Sequence, residues 1–418
     1  MPAAVPLPGY PPALVAYDAD DLLQAPGCAV CRHAGLASDR YLAWFALEGH
    51  ADTTAITRLT ASLGTCSRHT RLLMAQPGAA VRLTAVYRYL VTAARDRLTG
   101  RAAPLARCPM CEHHEGAAGR ALDTLLEGFA DPHVRRRYQE SGGLCIPHFG
   151  VAAARAPRST RTWLKDVITA TLADRSAGIG WLAGEPDHDA DARAALRRSL
   201  PARAVPGTFG CTACLAAART ERRALSLAAG PDSGHGELAP GQVLCASHLA
   251  DAAALAADAG TLASLLAWQA RCQLWMSSQR SVSAVTGARA LAPWRRARHS
   301  RPAAADCDIC HVHRAAAQNA IELTRRTLRA APLAADQRAA LCVRHLLALR
   351  AVDPQAGQAT ARDAIEAADA LLATLDEAFR KSTWNSRHEA RGQEATAWRQ
   401  ATAFVDGGVC FGSPPRQT

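Results

Sequence analysis

One pattern constrains this chain more than any other: C-x-x-C, about thirty residues, then C-x-x-H, used four times in strict order. It absorbs twelve of the fourteen cysteines. Cys28 and Cys31 precede Cys66 and His69, and Cys108 and Cys111 precede Cys145 and His148. Cys211 and Cys214 precede Cys245 and His248, and Cys307 and Cys310 precede Cys342 and His345. The gaps between halves are 34, 33, 30 and 31 residues, and the motif recurs after 80, 103 and 96 residues. Chance would supply roughly half of one C-x-x-C in such a chain, so the recurrence is a metal-site signal. Chain length alone suggests about three domains. The internal repeat overrides that figure and predicts four modules.

The chemistry needs these residue types. Zn²⁺ takes thiolate sulfur and imidazole nitrogen in a tetrahedral shell, and three Cys with one His make a closed structural set. Cys and His at i and i+3 share one face of a first helical turn. Pro109 after Cys108 and Pro147 before His148 suit that turn, where a missing N–H costs nothing. Four closed shells predict four Zn²⁺ per chain with no open position for hydrolysis. Each such site carries about −1, which would bring the formal +11 of the chain to about +7.

The gaps are too long for a ββα finger or a short zinc ribbon, and they read as helix. Ala118, Leu122, Leu125, Leu126 and Phe129 form a helical stripe ahead of Asp131-Pro132. Ala317, Ile321, Thr324 and Leu328 form another. After the C-x-x-H pairs come longer amphipathic runs: Leu83, Tyr87, Leu90 and Ala94; Leu262, Leu265, Gln269, Cys272 and Trp275; Ile365, Ala368, Leu372, Leu375 and Phe379. Strand patterns are nearly absent. The expectation is an all-α chain of four repeated helical modules, each closed on itself by one Cys₃His zinc. The modules would span 1–104, 105–200, 201–300 and 301–405, with a flexible tail at 406–418. Ser176–Gly207 and Ser277–Asp306 read as linkers.

The second motif, with Cys-Pro-Met-Cys at 108–111, Ala121 to Phe129, Asp131-Pro132 and Gly-Gly-Leu-Cys-Ile-Pro-His at 142–148, resembles an uncharacterised bacterial family of helical proteins. That family carries repeated C-P-x-C and (G)-x-C-x-x-H modules. The resemblance covers about 45 residues of the second motif, is partial in the first and fourth, and is weak in the third. It implies a helical, metal-bound protein and supplies no activity.

Several other readings weigh against the repeat. Cys307-Asp-Ile-Cys310-His311 matches a c-type haem attachment string, but it occurs once and without an export signal. His33, His113, His311 and His313, just beyond C-x-x-C pairs, read as solvated first-turn residues. Cys272 reads as a core thiol and Cys410 as an incidental one. Enzyme motifs fail: His388-Glu389 is not completed to H-E-x-x-H, and neither a phosphate loop nor G-x-S-x-G occurs. No run of 18 apolar residues and no basic, apolar leader is present, so the expected setting is cytoplasmic, away from membranes.

The expected role is a zinc-binding helical scaffold with a macromolecular partner. Two alternatives remain: a redox- or zinc-responsive regulator, and an enzyme with a pocket between modules. Basic charge is almost wholly arginine, since Lys165 and Lys381 are the only lysines. Arg295, Arg296, Arg298 and Arg301 on a linker are the candidates for gripping a nucleic-acid backbone. Elsewhere acids lie among the arginines, which tips the expected partner towards protein.

Overall fold

The computed structural model describes residues 12–74, 79–100, 104–173, 179–184, 211–229, 244–256, 258–286, 307–330, 341–383 and 385–406. Among these the regular structure is helical, with no strand. In the first half, α1 is Pro12–Leu22, α2 Ala29–Leu47, α3 Thr53–Ala61, α4 Ser67–Met74 and α5 Ala79–Thr99. They are followed by α6 (Pro109–Gly128), α7 (Pro132–Glu140), α8 (Ile146–Arg155) and α9 (Arg158–Ala173). The second half holds α10 (Thr212–Ala228), α11 (Ala246–Leu255), α12 (Ala259–Thr286), α13 (Asp308–Ala330), α14 (Val343–Val352), α15 (Pro354–Arg380) and α16 (Ala397–Asp406).

Every half-motif opens a helix. Cys145, Cys245 and Cys342 are N-caps with extended backbone. In all eight half-motifs the first cysteine's carbonyl accepts the first helical N–H, from Arg32, Thr70, Glu112, Phe149, Leu215, Leu249, His311 and Leu346. A cap whose carbonyl starts the ladder leaves its side chain free to point elsewhere. Here it points to a ligand cluster. The short helices between half-motifs are started by aspartates: Asp52 accepts from the Ala55 N–H, and Asp131 from His133 ahead of Pro132 at the first turn.

The chain divides into two compact units that ignore sequence order. The first gathers Met1–Ala37, His114–Asp191 and Glu221–Val312; the second gathers Ser38–His113, Ala192–Thr220 and His313–Thr418. Four helices, α2, α6, α10 and α13, begin in one unit and end in the other. Each begins with a C-x-x-C. The four consecutive segments expected from the repeat are therefore not the units in which the chain packs.

Each unit is built from the same parts. In the first, the C-x-x-H helix α8 leads into α9 and the C-x-x-H helix α11 leads into α12, with α12 packed on α8 and α9. In the second, α4 leads into α5 and α14 into α15, with α15 and α16 packed on α5. The apolar stripes become two separate cores. Leu122, Leu125, Phe129, Leu265 and Cys272 are buried in the first; Leu83, Tyr87, Leu90, Ala94, Ile321, Ala368 and Leu375 are buried in the second. Phe379 departs from its stripe: it is 42 % exposed, with the Arg88 guanidinium over its ring. Ser277 to Thr286, expected as linker, continue α12.

Candidate metal centres

All sixteen predicted donors come together in four Cys₃His groups, but the partners are not those expected. Cys28 and Cys31 meet Cys145 and His148, whereas Cys66 and His69 meet Cys108 and Cys111. Likewise Cys211 and Cys214 meet Cys342 and His345, and Cys245 and His248 meet Cys307 and Cys310. The pairing is nested: in each half of the chain an outer site encloses an inner one. No motif closes on itself. The groups are called here the Cys145, Cys66, Cys342 and Cys245 sites, after the cysteine of the C-x-x-H. The first unit holds the Cys145 and Cys245 sites, the second the Cys66 and Cys342 sites.

Helix lengths explain the correction. A self-closing motif requires the chain to return as far as it leaves. The 19 residues of α2 carry it about 28 Å from Cys28, and the 9 residues of α3 return only about 13 Å. The 20 residues of α6 and the 9 of α7 repeat that imbalance at about 30 Å and about 13 Å. The C-x-x-H thus arrives far from its own C-x-x-C, where another motif's C-x-x-C begins.

The donor geometry is the same at all four sites. Each histidine presents Nδ1 to three Sγ atoms. The distances are 3.2–3.4 Å for His148, 3.2–3.6 Å for His69, 3.2–3.3 Å for His345 and 3.3–3.4 Å for His248. Sulfur–sulfur separations are 3.6 Å for Cys31–Cys145 and Cys66–Cys111, 3.9 Å for Cys214–Cys342 and 3.8 Å for Cys245–Cys310. A tetrahedron with usual zinc bond lengths has S···S edges of about 3.8 Å and S···N edges of about 3.5 Å. The separations are far beyond a disulfide bond, and none of the described cysteines is in a disulfide. The sixteen donors fit a tetrahedral ion.

Electrostatics point the same way. In the Cys145 site burial acts to raise Cys28, yet the neighbouring Cys145 and Cys31 hold it well below the usual thiol range. Burial, then Cys28 and Cys31, push Cys145 well above it. In the Cys66 site Cys111 and Cys66 drive Cys108 down, while Cys108 and Cys66 drive Cys111 up. Cys211 against Cys214 and Cys245 against Cys310 split in the same way. Three sulfurs at this range cannot all ionise without a cation among them. Two helix N-termini converge on each group, and their partial positive charge favours thiolate.

The turns that present the C-x-x-H cysteines are held individually. Leu144 donates its N–H to the Tyr138 hydroxyl at 3.1 Å. Leu244 exchanges two hydrogen bonds, both 3.0 Å, with the wholly buried Gln269 amide. Before Cys66, Leu63 (φ 49°) and Gly64 (φ 91°) are both left-handed, as Gly142 and Gly143 are before Cys145. Arg344, between ligands Cys342 and His345, donates Nη2 to the carbonyls of Ser62, Leu63 and Thr65 at 3.1, 2.9 and 3.2 Å.

Sequence reasoning missed one residue next to a metal donor. Glu221 on α10 lies 3.3 Å from His248 Nε2, on the ring edge opposite the sulfurs. Burial pulls His248 down, but Cys245, Cys307 and Glu221 raise it to about 12. His69, also buried, is raised to about 9 by Cys108 and Cys66 against the burial, with no carboxylate contributing. Its Nε2 is buried without a hydrogen-bond partner among the described residues.

The remaining candidates fall outside these groups. His33, His113, His311 and His313 join no metal cluster among the described residues, and His113 stacks on Tyr41 at 4.6 Å. Arg295, Arg296, Arg298, Arg301 and Cys410 lie outside the described residues. No helix among the described residues is long and apolar enough to cross a membrane. No family model, curated protein or solved structure matches the chain.

Proposed function

We propose that this chain is a structural-zinc scaffold: four Zn²⁺ ions clamp eight helix starts in pairs and hold two helical units for a protein partner. The observation that carries the reading is the set of twelve Sγ and four Nδ1 atoms in four closed groups of tetrahedral dimensions. A full protein shell leaves no coordination position for substrate, which favours structure over hydrolysis. In an Ala-rich chain with 5 % aromatic residues, metal clamps supply stability that core packing would otherwise have to provide. The earlier resemblance to helical C-P-x-C proteins agrees with this reading.

A protein partner is favoured over nucleic acid because described arginine clusters are engaged internally. Arg137 pairs with Asp20, Arg325 and Arg326 with Glu322, and Arg329 with Asp353; Arg135 lies over Trp163. Purified protein should contain about four zinc per chain, and chelation should abolish its helical circular dichroism. Zinc near zero, or iron with visible absorbance, overturns the metal assignment. A salt-dependent gel shift with DNA or RNA overturns the choice of partner.

A further inference from the structure

We infer that the Cys66 site is the exchange centre of the protein, where Zn²⁺ enters and leaves by ligand substitution with a soft thiol or chelating acceptor. The inference rests on the zinc reading and adds a division of labour among four sites of identical donor type.

Thiol exposure is the first observation. Every other site has at least one buried cysteine: Cys28 and Cys145, Cys211 and Cys342, or Cys307. In the Cys66 site, Cys66, Cys108 and Cys111 are all half-buried, and its histidine is the one enclosed donor. The approach is open as well, since residues 104–107, running up to Cys108, are exposed throughout. An incoming sulfur must reach the metal or a bound thiolate from outside, so a triad with no buried member presents the lowest steric barrier.

The second observation concerns the histidine. A metal-bound imidazole is normally fixed by a hydrogen bond from its second nitrogen, and loss of such a partner typically costs 10–100-fold in metal affinity. His248 has that support in Glu221. The Nε2 of His69 has none among the described residues, although it is fully enclosed. His148 and His345 are half-buried rather than enclosed. The site with no buried cysteine therefore also has an enclosed imidazole without a partner among the described residues.

The first arm of the experiment needs no variant. Full-length protein shown by metal analysis to carry four zinc is treated with N-ethylmaleimide at about one equivalent per site, and released zinc is followed with a chromogenic chelator. Each addition breaks the maleimide C=C π bond, forms one S–C bond, takes a proton from water onto the neighbouring carbon and removes a thiolate from the shell. The first zinc should leave together with labelling of Cys66, Cys108 and Cys111, at least ten-fold faster than labelling of the other nine ligand cysteines. Labelling that begins at another site, or spreads evenly over all four, overturns the inference while leaving the scaffold intact. A preparation without four zinc would fail the earlier reading instead. In Glu221→Gln, the Cys245 site should move towards the Cys66 site's rate; no movement overturns the argument from ring support.

Discussion

The two units are made from matching parts and are held in different ways. In the first, neutral groups on packed helices secure the turns before the ligands: the Tyr138 hydroxyl for Leu144 and the Gln269 amide for Leu244. Around Tyr138 the Phe129 ring packs edge-on at 4.9 Å and the Trp163 ring lies tilted at 5.3 Å. In the second, a charged side chain from one site, Arg344, holds the turn leading into the other, and ion pairs join α5 to α15. The turns before the ligands are held by neutral groups in one unit and by a guanidinium in the other.

The comparison depends first on the nested pairing, and zinc counting can break it outright. Cys28→Ser combined with Cys145→Ser damages one site, so about three zinc should remain; Cys28→Ser with Cys66→Ser damages two, leaving about two. Self-closed motifs would reverse these counts.

That pairing is also where the sequence stopped being legible. The sixteen donors, the helical class and the first-turn placement of the C-x-x-H ligands could all be read from residue type and spacing. Which donors share a metal could not, because every motif offers the same ligands and the choice is made by helix length. The clues were present: Asp52 caps α3, and Asp131-Pro132 starts α7, so both return helices are short. Weighing the outgoing against the returning helix would have excluded self-closure. Glu221 was hidden for a related reason. It lies seven residues beyond Cys214, a ligand of one site, yet it supports the histidine of another. The residue seven beyond Cys31 is Ser38, which has no carboxylate to offer.

Next in size is the contrast between the inner sites. Glu221→Gln should weaken metal binding at the Cys245 site by about 10–100-fold, measured by chelator competition, because a neutral amide is a weaker acceptor for the ring N–H. The Cys66 site serves as internal reference and should not change. Equal weakening at both sites would mean that Glu221 acts on the fold rather than on His248.

The turn-holding residues come third. Arg344→Ala removes the donor shared by three carbonyls and should cost about 1.5–3 kcal/mol, with faster hydrogen exchange in α4 and α5 than in α8 and α9. Tyr138→Phe leaves the Leu144 N–H unpaired and should cost about 1–3 kcal/mol, with the opposite distribution. If either variant loosens both units alike, the separate cores behave as one cooperative body, and the contrast in their fastening has no energetic meaning.

The smallest effect is salt sensitivity, and it tests whether charge truly distinguishes the units. Arg88–Asp376 and Arg95–Asp369 join α5 to α15, with the aspartates exposed and the arginines partly exposed. The α8–α12 contact in the first unit is a close fit: a β-carbon at Gly150 would lie 2.2 Å from the Gln273 amide oxygen. At about 1 M salt the screening length falls to about 3 Å, so the exposed pairs lose most of their attraction while steric fit is unaffected. Exposed pairs contribute little individually, so the change should stay near the detection limit of a melting curve. Hydrogen exchange can resolve it: between 0.1 and 1 M sodium chloride, α5 and α15 should exchange modestly faster and α8 and α12 should not. Faster exchange in α8 and α12 would remove the electrostatic distinction and leave thiol exposure and histidine support as differences among the four sites.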